Sequence, residues 1–194
     1  MRRARLTTGL ERVAVVVASL ALSIGLIVAL SGYFAGRDQA GVSGAPNGPG
    51  RALADLGDAQ LKPGQPRPEY NSNPPTSGAH LPEPVLTDGA ELNDDQLLQA
   101  LSLGDVVVMY GGPTAPPGLD ALARKLAGPF TPALAAAGQA VILARRPGTL
   151  GVTGVAWTRM VQVSAAADPA LAQFVQFWLG RGAPWRQGSV RHEP

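Results

Sequence analysis

An uncharged apolar segment near the N-terminus places the strongest constraint on what this chain can fold into. The run VAVVVASLALSIGLIVALSGYF, from Val13 to Phe34, carries no charged side chain over 22 residues. As a helix it would span roughly 30 Å, the thickness of the hydrocarbon core of a bilayer. The rest of a 194-residue chain is too small to bury such a helix in a soluble core. The sequence therefore predicts a transmembrane helix over residues 13–34, with the lipid bilayer as its partner.

The charges around this segment predict its orientation. Arg37 and Asp38, which follow it, cancel, whereas the residues before it are strongly basic: Arg2, Arg3, Arg5 and Arg12. By the positive-inside rule residues 1–12 lie in the cytoplasm and the C-terminal part lies outside the cytoplasmic (inner) membrane. The alternative is a signal peptide that is cleaved, although the run is longer than a usual signal core and no Ala-x-Ala motif closes it.

The overall composition excludes several classes of function. Basic and acidic residues nearly balance, at 16 and 14, and the arginines after the N-terminus are scattered. A nucleic-acid-binding surface needs clustered basic residues, so no nucleic-acid partner is predicted. The chain has no cysteine, which excludes disulfides, thiolate metal sites and a lipoprotein attachment site.

Composition also divides the part of the chain after the predicted membrane segment. Residues 35–68 are rich in Gly, Pro and Ala and poor in large apolar side chains, which predicts a flexible linker. Residues 69–184 contain the periodic apolar patterns of a folded extracytoplasmic domain, and residues 185–194 form a tail. Within the domain we expect a helix at 94–103, a strand at 105–110, a helix ending at Gly128, strands at 140–145 and 152–163, and a helix beginning at Pro169.

This order, α-β-α-β-β-α, predicts an α/β fold with a small three-stranded mixed sheet and helices packed on it. The β-α-β part implies a parallel pair joined by a right-handed crossover, and the β-β part implies a hairpin. Gly154 inside the last strand suggests a bulge. In the last helix, the i, i+3, i+4, i+7 spacing predicts a buried stripe made of Leu171, Phe174, Val175 and Trp178.

A proline-rich segment at the start of the domain holds the candidate site residues. The stretch YNSNPPTSGAHLPEP runs from Tyr70 to Pro84 and carries one of only two histidines in the chain. Its prolines fix the backbone, so the loop presents Thr76, Ser77 and His80 at a low entropic cost. His80 is interpreted either as a ligand or acid/base group, or as a hydrogen-bonding side chain that anchors the loop.

No catalytic residue is predicted in this loop. Ser77 and His80 are three residues apart, and no Gly-x-Ser-x-Gly motif surrounds the serine. The chain also has no phosphate-binding or dinucleotide-binding motif. The pattern therefore favours a binding module over an enzyme, with Thr76, Ser77 and His80 as its candidate ligand-binding residues.

In three segments the chain resembles a bacterial family of unknown function, domain of unknown function 3105. They are the loop Pro-Pro-Thr-Ser-Gly-Ala-His at residues 74–80, the strand GDVVVMY, and the later strand Ala-Trp-Thr-Arg at residues 156–159. The resemblance covers about residues 60–184. It implies a membrane anchor followed by a domain that carries several histidines.

The chain departs from that pattern where the resemblance implies histidines. Gln99 and Leu103 stand in the places of two histidines one helical turn apart, and Ser102 stands in the place of a glutamate. Gln60 and Arg67 also stand where the resemblance implies that relatives often carry histidine.

With a loop histidine, two such helix histidines would suit zinc or copper. Here His80 is the one candidate ligand of that set, and no cofactor is predicted. We expect a degenerate binding or interaction module, with an unidentified membrane or extracytoplasmic protein as its partner. The alternative is a zinc or copper protein, or a metal-dependent enzyme, whose missing ligands come from a partner chain.

Overall fold

The computed structural model describes residues 48–184, and the fold is given for that part of the chain. The predicted cytoplasmic segment 1–12, the predicted membrane span 13–34 and the tail 185–194 lie outside it. Between residues 48 and 184 no helix has both the length and the apolar character needed to cross a bilayer.

The described residues form a mixed five-stranded sheet with helices on both faces. The strand order is β1-β5-β4-β2-β3, in which β2 and β3 are parallel and the other neighbours are antiparallel. The elements in chain order are β1 (Arg51–Ala52), α1 (Asp94–Leu103), β2 (Val106–Tyr110), α2 (Leu119–Ala127), α3 (Pro132–Ala136), β3 (Val141–Arg145), β4 (Val152–Ala156), β5 (Arg159–Val163) and α4 (Pro169–Trp178).

The buried strand β2 divides the core into two layers. Because successive side chains of a strand point to opposite faces, Val107 and Met109 pack with α1 and α3, while Val106 and Val108 pack with α2 and α4. All five residues of β2 are buried. The predicted α/β class and the parallel β-α-β pair are therefore confirmed.

The predicted three-stranded sheet is wrong in the number and pairing of its strands. Residues 152–163 form two antiparallel strands, β4 and β5, joined by a turn at Trp157 and Thr158. The predicted hairpin between 140–145 and 152–163 does not form, because β3 lies on the far side of β2 from β4. Thr158 has a φ of 58°, which is uncommon for a β-branched residue and gave no turn signal in the sequence.

Gly154 lies in the regular ladder and not at a bulge. It is in register with Val108 on one side and Val161 on the other. A Cβ atom at this position would lie 3.0–3.2 Å from side-chain atoms of Val161, Leu171 and Phe174. The glycine therefore allows α4 to approach the sheet closely.

The predicted helices at 94–103 and from Pro169 are confirmed in the structure. The Asn93 side chain accepts from Gln96 N–H and the Gln96 side chain accepts from Asn93 N–H, and these two bonds form a capping box before α1. In α4, Leu171, Phe174 and Val175 are buried as predicted. The fourth member of the predicted stripe, Trp178, is only partly buried at the end of the helix.

Residues 48–68, for which the sequence predicts a flexible linker, run along the domain. β1 adds to the edge of the sheet with Arg51 opposite Met160. Trp178 Nε1 donates to Pro49 O at 2.8 Å, and Leu53 N–H donates to Thr158 O at 3.0 Å. Backbone hydrogen bonds hold this segment, and composition does not register such bonds because every residue except proline can make them.

Candidate functional site

The proline-rich loop is fixed to the segment that precedes it by a short parallel ladder. Gly78 N–H donates to Gly57 O at 2.9 Å, His80 N–H to Ala59 O at 3.1 Å, and Leu61 N–H to His80 O at 2.8 Å. Two elements that the sequence assigned to separate regions, a linker and a domain, are thus paired here. The loop is therefore packed into the domain, where its backbone pairs with residues 57–61, and is not an exposed loop.

The three candidate ligand-binding residues of this loop all have fully buried positions. Thr76, Ser77 and His80 are each 0 % exposed. Ser77 Oγ donates to Ala54 O at 3.2 Å and accepts from Leu56 N–H at 3.1 Å. The serine hydroxyl therefore already has both a donor and an acceptor within the protein.

The His80 ring is anchored through one nitrogen. Nδ1 lies 2.8 Å from Gly78 O, and because a carbonyl oxygen only accepts, Nδ1 carries the proton. Nε2 lies 3.7 Å from Asp58 Oδ1, which is beyond hydrogen-bond distance. The Trp157 ring lies beside the imidazole, tilted by 59° and with a centroid distance of 6.5 Å. This geometry is that of an anchoring residue closed off from solvent.

Gly78 is required for the sharp turn before His80. Its φ is 128°, a conformation that side-chain-bearing residues rarely adopt. A Cβ atom here would also lie 2.9 Å from the Tyr70 ring. Tyr70 Oη in turn donates to Ala79 O at 2.9 Å, so the tyrosine closes the loop over the glycine.

Helix α1 holds the exit of the loop through a buried carboxylate. Asp95 is 0 % exposed, accepts from Leu81 N–H at 2.9 Å and forms an ion pair with Arg67. Burial raises the pKa of Asp95, but the hydrogen bonds from Arg67 and Leu81 outweigh it, and the pKa lies below its usual range. Arg67 thus stabilises the ionised form of Asp95 at the exit of the loop.

The positions that the resemblance assigns to a metal site do not fit a zinc or copper ion. Gln99 and Leu103 line a cavity that His80 does not line. Ser102, in the glutamate place, is buried, and its hydroxyl donates to Gln99 O at 2.9 Å. Across residues 48–184 there is no cluster of three or more His, Cys, Asp or Glu side chains arranged to hold a metal.

The cavity beside α1, here called the α1 cavity, is the more promising site. It measures about 320 Å³, at the lower end of the range for small-ligand pockets. It lies between α1, α3 and the exit of the proline-rich loop, and its lining residues are Pro82, Pro84, Val85, Gln99, Ala100, Leu103, Asp105, Pro132, Ala135 and Ala136. Its walls are mostly apolar, with two polar side chains among them.

Asp105 is the most perturbed group of the α1 cavity. The residue is 1 % exposed, and its Oδ1 accepts from Ala140 N–H at 2.8 Å. Within the described chain its Oδ2 is buried and has no hydrogen-bond partner. Burial raises the pKa of Asp105 to about 8, against the opposing effect of the Ala140 hydrogen bond. The carboxyl group is therefore mostly neutral at pH 7.

The second polar group of the α1 cavity is the Gln99 carboxamide. Its Oε1 is buried and accepts no hydrogen bond from the described residues. The sequence singled out position 99 only as a departure from the family pattern and did not single out Asp105. The available signal was an aspartate directly before a continuous apolar strand, GDVVVMY, where an acidic side chain is buried with the strand.

A family profile described as Protein of unknown function (DUF3105) matches residues 64–189, more than half of the chain. The chain belongs to this family. Searches of curated proteins and of solved structures gave no match. The match includes the proline-rich loop, α1 and the α1 cavity, and the family description states no activity.

Proposed function

We propose that this chain is a binding module displayed outside the cytoplasmic membrane, and that its ligand site is the α1 cavity. The observation that carries the proposal is a concave, mostly apolar cavity of about 320 Å³ that has two polar side chains, Gln99 and Asp105, in its lining. Small-ligand sites are typically of this kind, with apolar walls and a few polar groups that fix the orientation of the ligand.

The burial of the His80 loop supports placing the site at α1. Thr76, Ser77 and His80 are 0 % exposed, so a ligand could reach them only after the loop opened. The α1 cavity reaches the surface, because Pro82, Pro84 and Ala136 in its lining are exposed. The buried loop therefore fixes the positions of Pro82 and Pro84, which are exposed and line the cavity.

The membrane anchor is proposed from residues 13–34 and the arginines before them. Full-length protein should stay in the membrane fraction after alkaline carbonate washing, with its C-terminus open to protease from the outside. A mature form that starts after residue 34 would instead favour a cleaved signal peptide, and a C-terminus protected from external protease would contradict the orientation.

A fragment-binding experiment tests the site. The full-length chain in detergent would be screened by ligand-observed NMR against a library of small polar fragments, in parallel with two variants. Ala136→Phe places a ring at the mouth of the cavity, whereas Ala133→Phe places the same ring on an exposed residue of α3 that does not line it. Fragments that bind the parent and Ala133→Phe but not Ala136→Phe would support the proposal. Binding that Ala136→Phe leaves unchanged, or no binding at all, would refute it.

A further inference from the structure

Resting on the membrane anchor of the proposed function, we infer that the C-terminal end of α4 docks on anionic phospholipid headgroups of the bilayer that carries the anchor. The docking surface consists of Arg159, Phe177, Trp178 and Arg181, and is here called the arginine–aromatic surface. Helix α4 belongs to the layer of the core opposite to α1 and α3. The surface is therefore separate from the α1 cavity.

The four side chains form one continuous row of contacts. The Arg159 guanidinium lies 5.0 Å from the centroid of the Trp178 ring, and the Arg181 guanidinium lies 4.4 Å from that of Phe177. The two rings meet edge to face at a centroid distance of 4.8 Å. Phe177 and Trp178 are partly buried and Arg181 is exposed. Cation–π contacts thus hold the arginines in place, and the surface is open to solvent.

The positive charge of this surface is not balanced by the described residues. No ion pair in that part of the chain includes Arg159 or Arg181. Arg159 is 9 % exposed; its Nη1 donates to Thr158 O at 3.0 Å, and its Nε has no described partner. The two segments that meet here, residues 48–54 and 173–184, contain no acidic residue. An uncompensated positive surface favours an anionic partner.

The described chain begins at this surface. Trp178 Nε1 donates to Pro49 O at 2.8 Å, and a Cβ atom at Gly48 would lie 2.2 Å from the Phe177 ring. Only the 13 residues 35–47 separate Gly48 from the predicted membrane segment. A flexible linker of that length has an r.m.s. span of roughly 20 Å, whereas a domain of this size is roughly 35–40 Å across. The anchor would therefore keep this side of the domain close to the bilayer.

The residue types favour a lipid headgroup over an acidic protein. A planar guanidinium such as that of Arg181 binds phosphate oxygens in pairs, and an amphipathic ring such as that of Trp178 suits the level of the headgroups. An acidic protein could also pair with the arginines, but the short linker would give it no advantage. Docking through this surface would leave the α1 cavity, in the opposite layer, open on the side away from the bilayer.

The test measures which side of the domain lies near the lipid. The chain has no cysteine, so a dye can be attached to a single introduced one. Gln176→Cys places it on an exposed residue of α4 beside Phe177, and Ala133→Cys places it on an exposed residue of α3 in the opposite layer. The full-length chain would be placed in nanodiscs of phosphatidylcholine, with or without about 30% phosphatidylglycerol and with an acceptor dye on the headgroups. With phosphatidylglycerol, energy transfer from position 176 should exceed that from position 133, and the difference should shrink in about 1 M salt.

Variants of exposed arginines test the role of charge. Arg181→Gln should lower the ratio of docked to undocked protein about fivefold, the effect of one basic residue at an anionic membrane surface. Arg51→Gln, which removes the exposed arginine of β1 two residues after Pro49, should lower it about fivefold again. Lys62→Gln is the matched control, because it makes the same change of charge on an exposed residue next to the proline-rich loop. It should leave the energy transfer unchanged.

Four results would overturn the inference. Equal transfer from positions 176 and 133 in phosphatidylglycerol nanodiscs would refute docking and leave the anchor intact, whereas a chain that does not stay with the nanodiscs would overturn the anchor as well. Transfer from position 176 that is the same without phosphatidylglycerol, or in Arg181→Gln, would refute recognition of anionic headgroups. A dye at position 176 that is already shielded from a soluble quencher in neutral detergent would assign the surface to a second copy or to another part of the chain.

Discussion

Replacing Asp105 by asparagine should stabilise the fold at neutral pH. With a pKa raised to about 8 by burial, Asp105 stays protonated in the folded state, whereas in the unfolded chain it ionises near pH 4. The unfolded state therefore gains stability with each pH unit above about 4 while the folded state does not. Asparagine is neutral in both states and keeps the acceptor for Ala140 N–H, 2.8 Å away in the parent.

The gain in the free energy of unfolding follows from the difference between the pKa values of Asp105 in the folded and unfolded states. Each pH unit between the two pKa values contributes about 1.4 kcal/mol, so at pH 7 Asp105→Asn should raise the free energy of unfolding by about 4 kcal/mol. At pH 4.5 the gain should fall below about 1 kcal/mol, and above pH 8 it should level off. The stability of the parent should thus decline as pH rises from about 4 to 8, relative to the variant.

Urea unfolding of the full-length chain, followed by tryptophan fluorescence at pH 4.5, 7 and 9, measures this difference. Trp157 is 4 % exposed and reports on the core. Asp105→Ala is the matched control: it also removes the charge but leaves Ala140 N–H unpaired, so it should be about 1–3 kcal/mol less stable than the asparagine variant. Parallel pH profiles for the parent and Asp105→Asn would refute the assignment of a neutral buried carboxyl.

Three further predictions concern His80, the buried carboxylate of Asp95 and metal binding. His80→Ala should lower the free energy of unfolding by about 2–4 kcal/mol, because a buried ring and a hydrogen bond are lost; His80→Asn, whose amide can still donate to Gly78 O, should lose less, and equal losses would deny that hydrogen bond a role. The pKa of Asp95 is lowered in the folded state. The ionised carboxylate therefore stabilises the fold above about pH 4, the ordinary pKa of an aspartate, and this contribution is lost as the pH falls below that value. Asp95→Asn should therefore reduce the loss of stability on acidification, and an unchanged loss would contradict a stabilising role for the ionised Asp95 and its contacts with Arg67 and Leu81. The purified full-length chain should hold no stoichiometric zinc or copper after dialysis; retention of either by elemental analysis would favour the metal-protein alternative.

Helix ends and buried strands could be predicted from the sequence because their signals are local. The Asn93–Gln96 capping box fixed the start of α1, and the continuous apolar run after Asp105 fixed β2. The turn between β4 and β5 has no such signal, since Trp157 and Thr158 are not turn-forming residues. Its conformation depends on long-range contacts, in which Thr158 N–H donates to Thr76 O and Thr158 O accepts from Leu53 N–H.

The candidate site was predicted only in part for a related reason. The residue types of the proline-rich loop predicted a ligand-binding site. In the structure Thr76, Ser77 and His80 are buried and hold the loop in place. Asp105 was missed because its character depends on burial and on one hydrogen bond from Ala140, 35 residues away in the sequence. The local signal, an aspartate directly before the apolar run of β2, indicates burial but does not predict the hydrogen bond from Ala140.

The α1 cavity does not depend on the histidines that the resemblance implies at positions 99 and 103. Positions 99 and 103 are one helical turn apart and line the same wall. Replacing two histidines there by Gln99 and Leu103 would remove the metal ligands but not the cavity, which the prolines and α3 also shape. Asp105 lines the same cavity, where the lack of a nearby cation favours the neutral acid. Gln99→His together with Leu103→His should place two metal ligands on this wall, and a metal ion bound there should lower the pKa of Asp105, whereas an unchanged pKa of Asp105 in the metal-loaded variant would contradict this placement.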